Sequence, residues 1–228
     1  MVNRKLNPNS ESTDNYLKAI LALGGPEESR VTSNALARHL EVAPASITNM
    51  LQKLAAGSPP LVEYERHRGV QLSPAGKKRA LEVVRHHRLI ETFLYEVLDY
   101  PIEEVHAEAE RLEHFISERF EERIDTKLGR PKFDPHGHCI PALNGGMPKQ
   151  RSKLLTEIDK EVAFIVDSVS DQDAVLLKRL KAHGINPGAR VRIISQSDKE
   201  FVLRADASSK ALHLPRLIAS AVRIQSAT

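Results

Sequence analysis

Along this 228-residue chain the spacing of apolar residues changes from a helical to a strand-like rhythm, and that change limits the possible folds more than any other feature. From Thr13 onward, Tyr16, Leu17, Ile20, Leu21 and Leu23 recur at helical spacing until Gly24-Gly25-Pro26 stops them. A second helix opens at Thr32 or Ser33 and carries Leu36, Ala37 and Leu40. After a short break a third begins with Pro44 in its first turn, where a missing N–H costs nothing. A long helix runs from Ser73-Pro74-Ala75-Gly76 towards Leu98. Another covers roughly Ile102 to Ile124, with Val105, Leu112, Phe115, Ile116 and Phe120 as its apolar set. Beyond residue 160 the pattern is one of short strands, Val162 to Val169, Arg190 to Ser195, Phe201 to Ala205 and Ala221 to Gln225. A helix over Ala174 to Ala182 and a turn at Asn186-Pro187-Gly188 lie among them, and this many short strands in so few residues predict a small barrel.

The expected fold class is therefore mainly α with a small β domain. Two short helices around a tight turn, the second with Ser46, Thr48, Asn49, Gln52 and Lys53 on its open face, make a helix-turn-helix. The strands Pro59–Tyr64 and Gly69–Leu72, joined by Glu65-Arg66-His67-Arg68, add a basic wing. We place this winged helix-turn-helix domain at residues 1–80, with residues 1–10 as a mobile arm. The next two helices carry apolar stripes too large for so small a unit to bury. Residues 81–145 are accordingly assigned to a helical domain that dimerises through a symmetry mate. Residues 146–160 read as a linker and 161–228 as the barrel domain.

Charge divides along the same lines. Residues 1–80 carry 11 Lys+Arg against 7 Asp+Glu, whereas residues 81–124 carry 5 against 12. A basic segment followed by an acidic one that bears histidines suits contact with nucleic acid first and binding of a cation second. No run approaches the roughly 20 apolar residues of a membrane span, and the polar opening lacks a secretory signal, so a cytoplasmic location without membrane contact is expected. Cys139 is the only cysteine, which rules out an intramolecular disulfide and a cysteine-rich zinc module. Any metal must be held by histidine and carboxylates.

Two clusters offer such ligands. His87 and Glu91 stand four apart on one helix face, about 5 to 6 Å apart at Cβ. His106, Glu110, Glu113 and His114 also share a face at i, i+4, i+7 and i+8. Imidazoles and carboxylates on facing helices are how bundles build divalent-metal sites without cysteine. His86 faces elsewhere and reads as a surface residue, and His39, His67, His183 and His213 are isolated.

The order winged helix, His-Arg-Leu-Ile-Glu, His-Ala-Glu-Ala-Glu-Arg-Leu-Glu-His and Asp134-Pro135-His136-Gly137-His138-Cys139-Ile140-Pro141 resembles the diphtheria toxin repressor (DtxR) family of iron- and manganese-dependent repressors. The tail from Val162 to Ile224 resembles that family's SH3-like or FeoA-like domain. The resemblance implies an ancillary metal site of His87, Glu91 and His106 and a primary site of Glu110, Glu113 and His114. A further primary ligand is implied just before a tyrosine of the first helix. That position is Asn15, where relatives have Met or Asp; its neutral amide oxygen, the neighbouring Asp14 or a water would complete the set. An oxygen from the barrel is also implied for the ancillary site, with Asp171, Gln172 and Asp173 as candidates, and His136 and His138 are taken as structural. Glu110 stands where iron-type members carry Cys and manganese-type members carry Glu, which favours Mn2+ over Fe2+, with other divalent ions able to substitute in vitro.

The function implied is a metal-activated homodimer that binds a pseudo-palindromic operator on double-stranded DNA, as a repressor of metal-uptake genes. Ser46, Thr48, Asn49 and Gln52 are placed to reach base edges, Pro44 and Ala45 to touch thymine methyls, and Lys53, Arg66 and Arg68 to meet phosphates. Two rivals remain on sequence grounds: a di-metal carboxylate enzyme, which uses similar ligands, and a regulator that has ceased to need metal.

Overall fold

The structure is a computed structural model that describes residues 8–25, 27–147, 152–158 and 163–226. Residues 1–7 of the expected arm, 148–151 and 159–160 of the expected linker, and Val162 at the start of the first expected barrel strand lie outside the described residues. The chain forms two compact units, one made of residues 1–86, 112–117 and 141–146, the other of residues 87–111, 118–140 and 147–228.

In the N-terminal unit, α1 (Pro8–Gly24) begins inside the expected arm, because Pro8 suits a first turn. It ends where Gly25 takes the left-handed conformation at φ 63°. Thr32 caps α2 (Ser33–His39) by accepting a hydrogen bond from Ala35 N at 3.2 Å. α3 (Pro44–Ala55) buries Ile47, Leu51 and Leu54 against Leu17, Ile20 and Leu36, so its opposite face is turned outward. β1 (Val62–Glu65) and β2 (Gly69–Leu72) pair antiparallel with Glu65 opposite Gly69. Close to the wing's turn Val31 and Val70 exchange backbone hydrogen bonds of 2.8 and 2.9 Å. A Cβ on Gly69 would lie 2.5 Å from Val31 O, and φ there is +90°, so both space and conformation call for glycine.

The Ser73 hydroxyl donates to Pro60 O at 2.6 Å and accepts from Gly76 N at 3.1 Å, fixing the start of α4 (Pro74–Leu98) under the wing. α4 supplies Ala80 to the core of this unit, and Arg85 donates to Pro141 O at 2.8 Å, which ties residues 141–146 to it. Contacts of the N-terminal unit therefore extend to residue 86, past the expected boundary at 80.

The C-terminal unit holds the rest of α4, most of α5 (Val105–Leu112), α6 (Glu118–Lys127) and the β domain. The single helix expected over 102–124 is two helices, with Glu113 and His114 in the turn after α5. Phe115 N closes that turn onto Leu112 O at 2.9 Å, and Ser117, a type that favours helix starts, precedes α6. Leu89, Ile124 and Ile140 pack together beneath these helices.

The β domain is a six-stranded antiparallel sheet of β3 (Lys153–Leu154), β4 (Ala163–Val169), β5 (Arg190–Gln196), β6 (Glu200–Ala205), β7 (Leu212–Pro215) and β8 (Val222–Ser226), in the order β3-β8-β4-β5-β6-β7. Alternate residues Phe164, Val166, Val191, Ile193, Phe201 and Leu203 turn inward onto α7 (Ala174–Ala182), the helix the sequence marks out. β3 and the 3-10 turn Leu155–Glu157 fall where a linker was expected. Two residues of strand carry no readable alternation, yet Leu155 is fully buried in this core. β7 was also unforeseen, although Leu212 and Leu214 are its inward pair.

Gly76 lies so close to the wing that a Cβ would fall 1.8 Å from Leu61 O. Gly76→Ala is expected to lower unfolding stability by about 1–3 kcal/mol, the usual cost of overpacking a tight contact. Urea unfolding of the two proteins, compared at equal m-value, measures it.

Candidate metal centre and nucleic-acid interface

Helix spacing places His87 and Glu91 on one face of α4, and in the C-terminal unit three other segments converge there. His87 Nε2 lies 3.0 Å from Glu91 Oε1 and 3.1 Å from His106 Nδ1, and His106 Nδ1 lies 3.4 Å from the same Oε1. Asp171, in the loop between β4 and α7, brings Oδ2 to 3.6 Å from His106 Nδ1. His87, Glu91, His106 and Asp171 offer four donor atoms within 4.8 Å of one another. Triangles of this size match the edges of a divalent coordination shell, about 3.0 Å for an octahedron and about 3.4 Å for a tetrahedron with bonds of about 2.1 Å.

His136 completes the ring, with Nδ1 3.6 Å from Glu91 Oε1 and Nε2 3.1 Å from Ile102 O. Among the described residues Glu91 Oε2 and His136 Nδ1 are buried without a hydrogen-bond partner, as expected for a site built around an ion. Burial alone would raise the Glu91 carboxyl, but His106, His136 and His87 outweigh it and hold it well below the usual carboxylate range. Burial likewise opposes charge on His136, and the Glu91 carboxylate overcomes this and raises its pKa. Asp171 is lowered despite its burial, by His138 and His106. Donors of mixed nitrogen and oxygen type, with carboxylates kept ionised, fit a divalent first-row cation.

Backbone geometry aims this cluster. Asp134 Oδ1 accepts from His136 N at 2.8 Å and His138 N at 2.9 Å, and Val169 N donates to His136 O at 2.9 Å, which seats the 134–138 turn on β4. The Gln172 amide holds Asp171 Oδ1 at 2.8 Å and stands 3.2 Å from His106 Nε2. Asp173 does not join the ring. Its carboxylate caps α7, accepting from Val175 N at 3.0 Å and Leu176 N at 2.9 Å, and so corrects its candidacy as a ligand. Glu110 Oε1 lies 3.6 Å from His87 Nδ1.

The other expected ligands, Asp14, Asn15, Glu113 and His114, belong to the N-terminal unit. His114 Nε2 is 3.2 Å from Glu113 Oε1 and its Nδ1 3.7 Å from Asp14 Oδ2. Neither ring nitrogen has a hydrogen-bond partner among the described residues, and nor has Asn15 Oδ1. Both carboxylates are already paired: Lys18 Nζ lies 2.7 and 2.9 Å from the two Glu113 oxygens, and Arg79 Nε donates to Asp14 Oδ1 at 2.5 Å. His86, expected at the surface, is buried, with Nδ1 3.2 Å from Glu113 O. Helical phase alone turned it away from His87 and could not show what covered it.

On α3, Pro44, Ala45, Ser46, Asn49, Gln52 and Lys53 are exposed and Thr48 is half-buried, donating to Pro44 O at 3.3 Å. At the exposed wing tip, Arg68 meets Glu65 Oε2 at 3.0 Å and Arg30 meets Glu65 Oε1 at 2.9 Å. Arg68 and then Arg30 hold the Glu65 carboxyl below its usual range. Arg66 is exposed beside them, and a polar helix face next to a basic hairpin is a surface suited to duplex DNA.

Comparison with known proteins finds family matches over most of the chain. Residues 9–70 match the family described as the iron dependent repressor N-terminal DNA binding domain, and residues 73–142 its metal binding and dimerisation domain. Residues 153–226 match the FeoA domain. The Iron-dependent repressor IdeR of Mycobacterium leprae (strain TN) is 31% identical over 229 residues, covering 94% of this chain and 97% of its own. A solved manganese-dependent transcriptional repressor in complex with manganese superposes with a TM-score of 0.84 at 32% identity, covering 94% of this chain and 99% of that one. ScaR with bound Zn2+ superposes with a TM-score of 0.78 at 33% identity over 94% of this chain and 99% of its own. The matched family is described as a DNA-binding repressor, and the di-metal enzyme reading finds no support. The chain belongs to the DtxR/IdeR family of metal-dependent transcriptional repressors.

Proposed function

We propose that this protein represses metal-uptake genes by binding a pseudo-palindromic operator as a dimer, with Mn2+ as the physiological activator and Fe2+ as the alternative. The observation that carries this reading is the convergence of His87, Glu91, His106 and Asp171 from separate segments of the C-terminal unit, with His136 behind them. When bound, the ion supplies a fixed double positive charge to these donors. Glu91 stays ionised to receive it, His87 and His106 offer ring nitrogens, and Asp171 adds an oxygen from the β domain. That domain is thereby made part of the sensor.

On the DNA side, Ser46, Thr48, Asn49 and Gln52 face base edges, Pro44 and Ala45 face thymine methyls, and Lys53, Arg66 and Arg68 face phosphates. A dimer presents two such helices to successive major grooves, about 34 Å apart. Metal contributes by binding the DNA-competent arrangement more tightly than the other. Exposed Tyr95, Leu98 and Phe120 in the C-terminal unit supply apolar surface for a second copy. Chromosomal DNA as partner places the protein in the cytoplasm, and no helix among the described residues is long and apolar enough to cross a membrane.

Preference for Mn2+ is argued from Glu110. A carboxylate is a hard donor, where a thiolate would favour softer ions, and selectivity must come from ligand type and geometry because raw affinity rises towards Cu2+ and Zn2+.

His106→Ala is expected to weaken Mn2+-dependent operator binding at least about tenfold, in the range for losing a ligand-shell interaction, with the far-UV spectrum unchanged. Unaltered affinity at limiting Mn2+ refutes the site. Arg66→Ala and Arg68→Ala should each lower the salt slope of log K by about 0.9 and weaken operator and random DNA alike; a loss confined to the operator shows base reading instead. Glu110→Cys should move the order of activation by Mn2+, Fe2+ and Zn2+ towards Zn2+, measured as operator binding at buffered free metal. An unchanged order removes Glu110 as the selectivity determinant.

A further inference from the structure

In the N-terminal unit the neutral and the anionic donors are treated differently. His114, with a side chain 5% exposed, points both ring nitrogens at carboxylates that do not hydrogen-bond it, and Asn15 Oδ1 is buried without a partner among the described residues. The acids beside them are satisfied, Glu113 by Lys18 through both oxygens and Asp14 by Arg79. The Lys18 ammonium neutralises the Glu113 carboxylate, but it leaves both His114 ring nitrogens and Asn15 Oδ1 without a hydrogen-bond partner among the described residues, and a divalent ion can take nitrogen and oxygen donors together. These donors suit a divalent cation, and the positive charge beside Glu113 is provided meanwhile by a side chain.

We propose that Lys18 is a tethered competitor for the divalent cation: its ammonium occupies Glu113 in the metal-free protein and must leave when an ion is taken by Glu113, His114 and Asn15. This rests on the reading that these residues bind metal. Ammonium and a divalent ion cannot share one carboxylate at contact distance in a partly buried site, since their repulsion is poorly screened there. Lys18 is suited to the exchange. It stands on α1 one turn from Asp14 and three residues from Asn15, its flexible stem can swing, and its side chain keeps 18% exposure, so the ammonium has a path back to water. Arg79 on Asp14 leaves that neighbour neutralised throughout, which keeps the competition at Glu113. The lysine then sets a threshold: apparent metal affinity is the intrinsic affinity multiplied by the fraction of molecules in which Glu113 has been released.

The test is Mn2+ uptake by full-length protein, followed through the electron paramagnetic resonance of free Mn2+. It uses a His106→Ala background, so that the C-terminal cluster does not dominate the isotherm, with Glu113→Gln as the site-null control. Lys18→Met and Lys18→Gln are expected to tighten uptake by about tenfold or more, the factor if the lysine vacates Glu113 in about one molecule in ten. Lys18→Arg, which keeps the cation, should stay near the parent. Circular dichroism establishes that each variant is folded, and the two neutral variants guard against one failing to fold. Neutral variants no tighter than the parent, or Lys18→Arg as tight as Lys18→Met, overturn the competition while leaving metal binding at this site intact. No Glu113-dependent uptake in any variant overturns the ligand assignment itself, and the proposal with it.

Discussion

A carboxylate with no exposed surface stays ionised only if opposite charge or hydrogen-bond donors stand against it, because water is no longer there to solvate it. Glu91 is in that position: fully buried, it is ringed by His87, His106 and His136, and the placement of the surrounding segments answers to its needs. α5 brings His106, the turn at 134–138 brings His136, and the loop before α7 brings Asp171. The ring nitrogens of His87 and His106, 3.1 Å apart, can share one proton, yet Glu91 Oε2 and His136 Nδ1 are buried with no hydrogen-bond partner among the described residues. Glu91 is thus the acid around which the candidate metal centre is arranged.

The N-terminal unit meets the same difficulty by another route. Asp14 and Glu113 are buried carboxylates too, and each is matched by a long basic side chain, Arg79 and Lys18. Arginine and lysine differ as counterions. The guanidinium is rigid and permanently charged, a durable structural partner, whereas the ammonium rides on a flexible stem and exchanges readily with other cations. One unit therefore carries its neutralising charge in its own sequence, and the other cluster draws on histidines whose protonation, or replacement by metal, depends on conditions. The outer face of α3 follows a simpler rule: the helix must bury Ile47, Leu51 and Leu54, and what lies opposite is left exposed and polar.

How much of this was legible in the sequence depended on the range of the interaction concerned. Local rules marked α2 through Thr32, α3 through Pro44, α4 through Ser73-Pro74 and α7 from its start to its end, because caps, prolines and apolar period act within a few residues. The i, i+4 pair His87 and Glu91 was visible for the same reason. Local rules failed where the signal was short or contested. The period across 102–124 hid a turn at Glu113 and His114, two-residue β3 had no pattern to show, and Asp173, read as a candidate ligand, caps the start of α7.

The sequence by itself determined the order of the domains, the exposed polar face of α3, the basic hairpin and the residue types available to a metal, since each is encoded by composition or spacing along a single segment. Only the tertiary structure decided which donors meet. It set Asp171 rather than Asp173 beside His106, brought His136 to Glu91 across more than forty residues, buried His86 against the Glu113 carbonyl and put Lys18 on the Glu113 carboxylate. Those pairings come from segments far apart in the chain, brought together by burying their apolar faces. No spacing rule reaches across such a gap, because the contact is set by packing and charge balance in the folded protein.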